Sequence, residues 1–346
     1  MPDCHAGSSK TGSHRSVPRK SKRATAITTD STAPPVRASQ HLLTLSEWLR
    51  CPNCLADLQP ADTLVLSCPH GHRFDVNRRG YVSLINGSRR LIGDSPAMLD
   101  ARETFLEHGW YSDLRDALCT LVAQERAGRV ADIGCGTGYY LRGVLAALAD
   151  QRRPQEGAVD HTARQGPVGV SALAVDLSAP AVARTVRAAT HAGSVTAGLV
   201  ADVWSPLPIR DAAADVAINV FAPRNPAEFH RIVAPGGLLV VVVPHPSHLE
   251  ELRADGLALD VHGNKTADLI TSLAGRFELE SGTELSQQLS LSPADVRALL
   301  GMGPSAHHSG RAGSASELGS TSPDRPEPAR PVTVAFQLLA FRRLTV

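Results

Sequence analysis

The chain has 346 residues, 42% of them hydrophobic but only 4% aromatic, so it can bury a core, and Leu, Val and Ala must fill it. Its formal net charge of +1 excludes a whole-molecule attraction to polyanions, so any nucleic-acid contact must come from local patches. Six thinly spread cysteines exclude a disulfide framework and fit a reducing compartment, and no apolar run is long enough to span a bilayer, so a cytoplasmic protein is expected.

The first forty residues are Ser/Thr-rich and basic, with Arg15, Arg19, Lys20, Lys22 and Arg23 against only Asp3 and Asp30. Transit peptides share that composition, but so does any basic tail too poor in apolar surface to order itself. The plainer reading is a disordered basic tail over 1–44, with no apolar stretch of the kind secretion needs. A short helix is expected over 43–49, leading into a small module at 45–88.

That module carries Cys51-Pro52-Asn53-Cys54 and then Cys68-Pro69-His70-Gly71-His72. Zinc takes four soft or borderline ligands in a tetrahedron, two from each of two turns. Cys51 and Cys54 form one such turn. Cys68 opens the other, with His70 or His72 as the fourth ligand; the C-x3-H spacing suits His72 better. Four protein ligands leave no open position, so the metal is expected to be structural. The bland alternative is that these cysteines are small buried hydrophobes.

Residues 89–112 connect this module to the rest of the chain, with a short helix expected over 97–106. Apolar residues at Leu114, Ala117, Leu118, Leu121 and Val122 predict a helix over 113–124. Strand-like runs then appear at 130–133, 171–175, 196–200, 216–220 and 238–243. Helical stretches fall at 140–149, 179–192 and 226–232. This alternation predicts an α/β fold with a doubly wound, mostly parallel sheet. Two stretches break it. Residues 151–170 and 305–330 lack periodicity and read as flexible insertions. The run 332–341 returns to strand character and closes the sheet.

Between the first strand and its helix stands Asp132-Ile133-Gly134-Cys135-Gly136-Thr137-Gly138. Glycines let backbone pass close to a ligand. A dinucleotide fingerprint needs G-x-G-x-x-G/A, and position 139 is Tyr. The form G-x-G-x-G after an acid is that of S-adenosylmethionine-dependent methyltransferases. Asp176 ends the second strand, where a carboxylate can hold ribose hydroxyls. Asp202 follows the third, where the adenine amino group would lie. Asn219-Val220-Phe221-Ala222-Pro223-Arg224 follows the fourth, at the edge of a methyl-transfer site; Asn219 and the carbonyls near Pro223 are the candidates for holding a base. An ordinary strand-to-helix turn capped by Asn225-Pro226 is the competing view. Pro235-Gly236-Gly237 is expected to form the tight turn into the fifth strand.

With these residues in view, the chain resembles the bacterial zinc-containing 23S ribosomal RNA guanine-N1 methyltransferases, from about residue 49 to residue 300 and again over the last strand. The pattern is carried by the two Cys motifs, Phe74-Asp75, Gly80-Tyr81-Val82-x-Leu84, Ala101-Arg102, Gly109-x-Tyr111, the 132–138 loop, Pro235-Gly236-Gly237 and Pro246-x-His248-Leu249. The stretches 201–204 and 219–226 look closest to the actinobacterial tylosin-resistance subclass. The resemblance implies a class I (Rossmann-like) methyltransferase domain over 89–346 behind a zinc-binding, RNA-recognising module. It implies methylation of guanine N1, with guanine 748 in hairpin 35 as the expected target, and a homodimer. It implies zinc ligands Cys51, Cys54, Cys68 and His72, and cofactor contacts from Tyr111, Gly136, Thr137 and His248, with Asp176 on the ribose. Residues 1–44, 151–170 and 305–330 exceed the family's length.

Phosphate contacts are expected from Arg73, Arg78, Arg79, Arg89 and Arg90, whose bland reading is a solvated charged surface. Guanine N1 carries a proton that must be lost, and Asp202 and His248 lie near that edge, but cofactor binding accounts for both. Two rivals stand beside this reading: a methyltransferase of protein or small molecules, and a non-catalytic RNA-binding ribosome-assembly factor.

Overall fold

The computed structural model describes residues 34–85, 92–152, 169–191, 194–260, 265–303 and 328–345. Arg89 and Arg90, residues 1–33 and nearly all of both expected insertions lie outside the described residues.

Helix α1 (Pro34–Trp48) begins well before the expected 43–49. Its last turns bury Leu42, Leu45 and Trp48, and the Trp48 indole donates to Ser171 Oγ at 2.9 Å. Four short strands follow: β1 (Gln59–Asp62), β2 (Val65–Ser67), β3 (Arg73–Asn77) and β4 (Tyr81–Ser83). Helices α2 (Pro96–Glu107) and α3 (Ser112–Ala123) match expectation within a residue or so. Ser95 caps α2 by accepting from the Met98 N–H, with Pro96 at the first helical position.

The alternating part then unfolds as expected: β5 (Arg129–Ile133), α4 (Tyr139–Gln151), β6 (Ser171–Asp176), α5 (Ala179–His191), β7 (Val195–Val200), β8 (Ala214–Val220), α6 (Pro226–Ile232) and β9 (Val233–Pro244). Asn225 caps α6 through the Glu228 N–H. Helices α7 (Glu250–Ala254) and α8 (Lys265–Leu273), strand β10 (Phe277–Leu291), helix α9 (Pro293–Gly301) and strand β11 (Arg330–Arg343) complete the chain.

The strands form one sheet in the order β1-β2-β3-β4-β7-β6-β5-β8-β9-β11-β10. Strands β4 through β9 pair in parallel, and β11 runs antiparallel between β9 and β10. That is the expected doubly wound, mostly parallel sheet, with the expected closing strand inserted near one end. At the other end the zinc-motif strands continue the sheet. Tyr81, Val82 and Ser83 pair with Gly198, Leu199 and Val200. Gly198 makes this seam possible, since a Cβ there would stand 2.4 Å from Val182 Cγ1 and 2.6 Å from Tyr81 Cβ.

Both faces of the central strands are buried, and successive residues feed opposite cores. Val130, Ile218 and Val240 join Leu114, Leu118, Leu141 and Val144 on one face. Ala131, Ala217 and Val241 join Leu45, Trp48, Phe229 and Ile232 on the other. One detail differs from expectation. Pro235-Gly236-Gly237 lies inside β9, where Val233 pairs with Ala214 and Leu238 with Val216, so 234–237 loop out opposite Asp215. Gly236, at φ +70°, supplies the backbone bend.

Candidate functional site

Two sites emerge. The first is in the ribbon formed by β1–β4 and the turns around them. Leu55 at φ +61° and Gly71 at φ +82° close two tight turns that bring the sulfurs of Cys51, Cys54 and Cys68 and the His72 ring together. Their ligating atoms lie within 4.8 Å of one another. His72 Nδ1 is 3.5 Å from Cys51 Sγ and 3.3 Å from Cys68 Sγ, and Cys54 and Cys68 sulfurs are 3.6 Å apart. A tetrahedral zinc with bonds of about 2.0–2.3 Å has edges of about 3.5–3.8 Å, so the four groups fit one ion. Burial opposes ionisation of Cys68, but N–H groups of His72 and His70 and the His72 ring outweigh it and hold the thiol down at about 6. His70 stands outside this set, exposed, with Nδ1 3.3 Å from Cys54 Sγ. The structure thus resolves the fourth ligand in favour of His72.

Arg78 and Arg79 sit at the tip of the hairpin between β3 and β4. Asn77 pairs with Tyr81, and Gly80 at φ +85° completes a three-residue loop. Arg79 N–H is held by Asn77 Oδ1. Arg73, Arg78 and Arg79 are all exposed.

The second site lies at the carboxyl ends of β5, β6 and β8. The N–H groups of Gly134 and Cys135 both donate to the Val175 carbonyl, and the buried Thr185 hydroxyl donates to the Gly136 carbonyl. Gly134, Gly136 and Gly138 have φ of +90°, +51° and +78°. Side chains there would be strained, and at Gly134 and Gly138 they would also collide. A Cβ on Gly134 would meet Ala222 Cβ at 2.2 Å, and one on Gly138 would meet Thr185 Cγ2 at 2.9 Å. Thr137 is buried within the loop.

Asp176 accepts from the Gly136 and Ser178 N–H groups at 3.0 and 2.8 Å, one per carboxylate oxygen. Each oxygen keeps lone-pair capacity for a hydroxyl donor. Burial pushes Asp132 up to about 8, with Asp176 adding to the rise. Buried Asp132 and half-buried Asp176 thus face one small region, an arrangement that a cationic ligand relieves. Asp202 instead ties its own turn: one oxygen accepts from the Trp204 N–H, the other from the Ser205 hydroxyl.

Two side chains that the sequence did not single out as ligand contacts close this pocket. Arg102 reaches from α2 to Asp94 and to the Met302 carbonyl, and its Nη1 lies 3.1 Å from where a Gly136 Cβ would stand. The buried Tyr140 hydroxyl has no hydrogen-bond partner among the described residues. Burial pushes its ionisation up, Tyr111 and Tyr139 add to this, and Arg102 opposes it. An orphaned hydroxyl, two carboxylates and a guanidinium around a glycine loop suit the amino, carboxyl and ribose groups of S-adenosylmethionine.

Beside the loop is a ring cluster. Tyr111 is 4.8 Å from Phe336, 6.4 Å from His248 and 6.4 Å from Phe221, centroid to centroid. Burial holds the Tyr111 hydroxyl neutral and pushes His248 down to about 3. His248 Nδ1 accepts from the Ala335 N–H at 3.2 Å, which leaves the proton on Nε2. His248 is therefore a hydrogen-bond donor here. Asn219 is fully buried, and its amide donates to the Ile133 and Pro223 carbonyls at 2.9 and 3.1 Å. It braces the following loop from below, whereas Pro223 is exposed on it. Phe221, the first residue of that loop, has φ +53°, a conformation that costs a bulky residue on the order of 1–3 kcal/mol.

The chain is similar to known proteins. The zinc-ribbon family described as RlmA, N-terminal, matches residues 49–86. The 23S rRNA (guanine(748)-N(1))-methyltransferase of Streptomyces fradiae is 41% identical over 75% of this chain and 86% of its own length. A protein of Micromonospora griseorubida, provisionally named for 23S rRNA guanine-N1 methylation, is 37% identical over 85% of this chain and 97% of its own. The chain belongs to the 23S rRNA guanine-N1 methyltransferase family. This methyltransferase is S-adenosylmethionine-dependent and carries a zinc ribbon built on Cys51, Cys54, Cys68 and His72. Among solved structures, the YcgJ protein of Bacillus subtilis aligns over 67% of this chain and 100% of its own at 13% identity, with a TM-score of 0.41. No described helix is long and apolar enough to cross a membrane.

Proposed function

We propose that this methyltransferase acts on N1 of guanine 748 in hairpin 35 of 23S ribosomal RNA, in the cytoplasm, and that the modification protects the ribosome against tylosin. The name of the Streptomyces fradiae relative supports the target nucleotide. The observation that carries the reading is a glycine loop, two acids and a ring cluster meeting at the carboxyl ends of the central strands, with an arginine-tipped zinc ribbon extending the same sheet. Residues 45–88 recognise RNA and residues 89–346 carry out the transfer. The reading includes a homodimer that forms the RNA cleft.

S-adenosylmethionine supplies an electrophilic methyl group. In the reading we propose, backbone at Gly134, Gly136, Thr137 and Gly138 admits it, Asp176 receives the ribose hydroxyls, and Asp132 balances its positive charge. Arg102 faces the carboxylate, and Asp202 with its turn borders the adenine. Tyr111 and His248 line the amino-acid end, His248 through its Nε2–H. The target guanine must be unstacked for its Watson–Crick edge to enter. Neither Asp202, bound into its own turn, nor His248, whose free ring nitrogen bears the proton, is a base for N1. We infer that the N1 proton passes to solvent and that the chain contributes chiefly alignment. Arg73, Arg78 and Arg79 meet phosphates.

The test is incubation with unmethylated 23S rRNA and methyl-labelled S-adenosylmethionine. The reading expects label in RNA. Label in protein or small molecules alone, with the cofactor bound, would favour the rival acceptors.

A further inference from the structure

We propose that Phe221 is the platform on which the extruded guanine stacks. The proposal rests on the reading of this protein as an rRNA guanine methyltransferase and adds the residue that holds the base.

Three observations converge. Phe221 takes a left-handed backbone conformation at φ +53°, which few bulky residues adopt. Its neighbours enforce that conformation. The Phe221 N–H donates to the Val242 carbonyl at 3.1 Å, the Asn219 amide holds the Pro223 carbonyl, and Ala222 sits against Gly134. The strain is not used to bury the ring. Phe221 is 42% exposed, although it lies 5.4 Å from Phe336 and 6.4 Å from Tyr111, both of which are only 3% exposed. A strained residue whose ring is left half open has been aimed rather than packed.

Position supplies the rest. Phe221 directly follows β8, the strand paired with β5, and β5 leads into the glycine loop. Trp204 is more exposed, at 68%, but it follows β7, beyond β6 on the far side of β5. Among the described residues, Phe221 combines an open face with contact to the rings lining the cofactor end. Every base has a π face, and stacking on an aromatic ring leaves its Watson–Crick edge free. N1 belongs to that edge, so a stacked guanine can turn it toward Gly134.

The experiment uses the full chain and an RNA hairpin carrying the target guanine, with a second hairpin bearing 2-aminopurine at that position. In the wild type, methyl transfer proceeds, and 2-aminopurine bound in the presence of S-adenosylhomocysteine is quenched by stacking. In Phe221→Ala, kcat/KM for the hairpin falls at least tenfold and bound 2-aminopurine becomes bright. Cofactor affinity by calorimetry stays within twofold, and Phe221→Tyr restores most of the rate and the quenching. Two results would overturn the proposal: Phe221→Ala methylating as fast as the wild type, or Ala and Tyr variants equally slow with weakened cofactor binding and unchanged fluorescence. A wild type that binds cofactor yet never methylates the hairpin would instead sink the functional reading and the platform with it.

Discussion

Burial at a single residue, Asp132, would link the proposed cofactor binding to pH. Its carboxyl is pushed from the usual range near 4 up to about 8 by burial and by Asp176. Between those values the folded protein holds a proton that the unfolded chain has released. The cofactor-free protein should therefore lose stability as pH rises through that window. A cationic ligand favours the carboxylate, so binding expels the proton. Calorimetry near pH 6.5 in buffers of different ionisation enthalpy should show close to one proton released per S-adenosylmethionine, with affinity rising up to about pH 8. Asp132→Asn should abolish the release, and an unchanged proton count in that variant would contradict the assignment. Arg102 offers an independent check. Losing a charged hydrogen bond costs about 1.5–3 kcal/mol, so Arg102→Ala should weaken cofactor binding roughly 10- to 100-fold. No change in the dissociation constant would remove Arg102 from the pocket. His248→Ala should weaken cofactor binding without shifting the pH–rate profile, because the ring is a neutral donor throughout the working range.

At the scale of elements, the zinc ribbon is a structural extension of the sheet through β4 and β7. Removing zinc with a chelator should lower the melting temperature and abolish RNA methylation, since such ions contribute folding free energy directly. His72→Ala should lose the metal, whereas His70→Ala should still bind one zinc per chain by elemental analysis. On the β3–β4 hairpin, Arg78→Ala combined with Arg79→Ala should weaken RNA binding and flatten its salt dependence by about two in slope. Much of this architecture is legible in the sequence, for identifiable reasons. Strands β5 to β9 are buried on both faces and read as near-continuous apolar runs. Strand β10 escapes notice because most of Phe277–Leu291 is exposed, so it lacks the alternation of a half-buried strand. Strand β1 is four residues long and exposed throughout. The metal and glycine motifs are legible because coordination and backbone geometry fix residue type and spacing. The open ring and strained backbone of Phe221 and the reach of Arg102 to the glycine loop are not, because only tertiary packing brings α2 to the loop after β5 and decides which side chain of the turn after β8 stays exposed. Asn219 lies in the right segment, but the fold turns it inward as a brace.

For the whole molecule, the single sheet is the organising fact. It carries the ribbon at one end, the glycine loop near the middle and the long exposed strand β10 at the other end. In the reading we propose, a substrate spanning the ribbon and the transfer site would be gripped by phosphate contacts at a distance from the chemistry and by the ring cluster beside it. Light scattering should report a dimer if the RNA cleft is shared between two copies; a monomer with full activity would remove the partner from the account. The measurement that tests the central claim most directly is mass spectrometry of 23S rRNA fragments after incubation with the protein and labelled S-adenosylmethionine. One added methyl on N1 of guanine 748 is the result the account predicts. A methyl on another atom or nucleotide, or none on RNA while the cofactor binds, would contradict it.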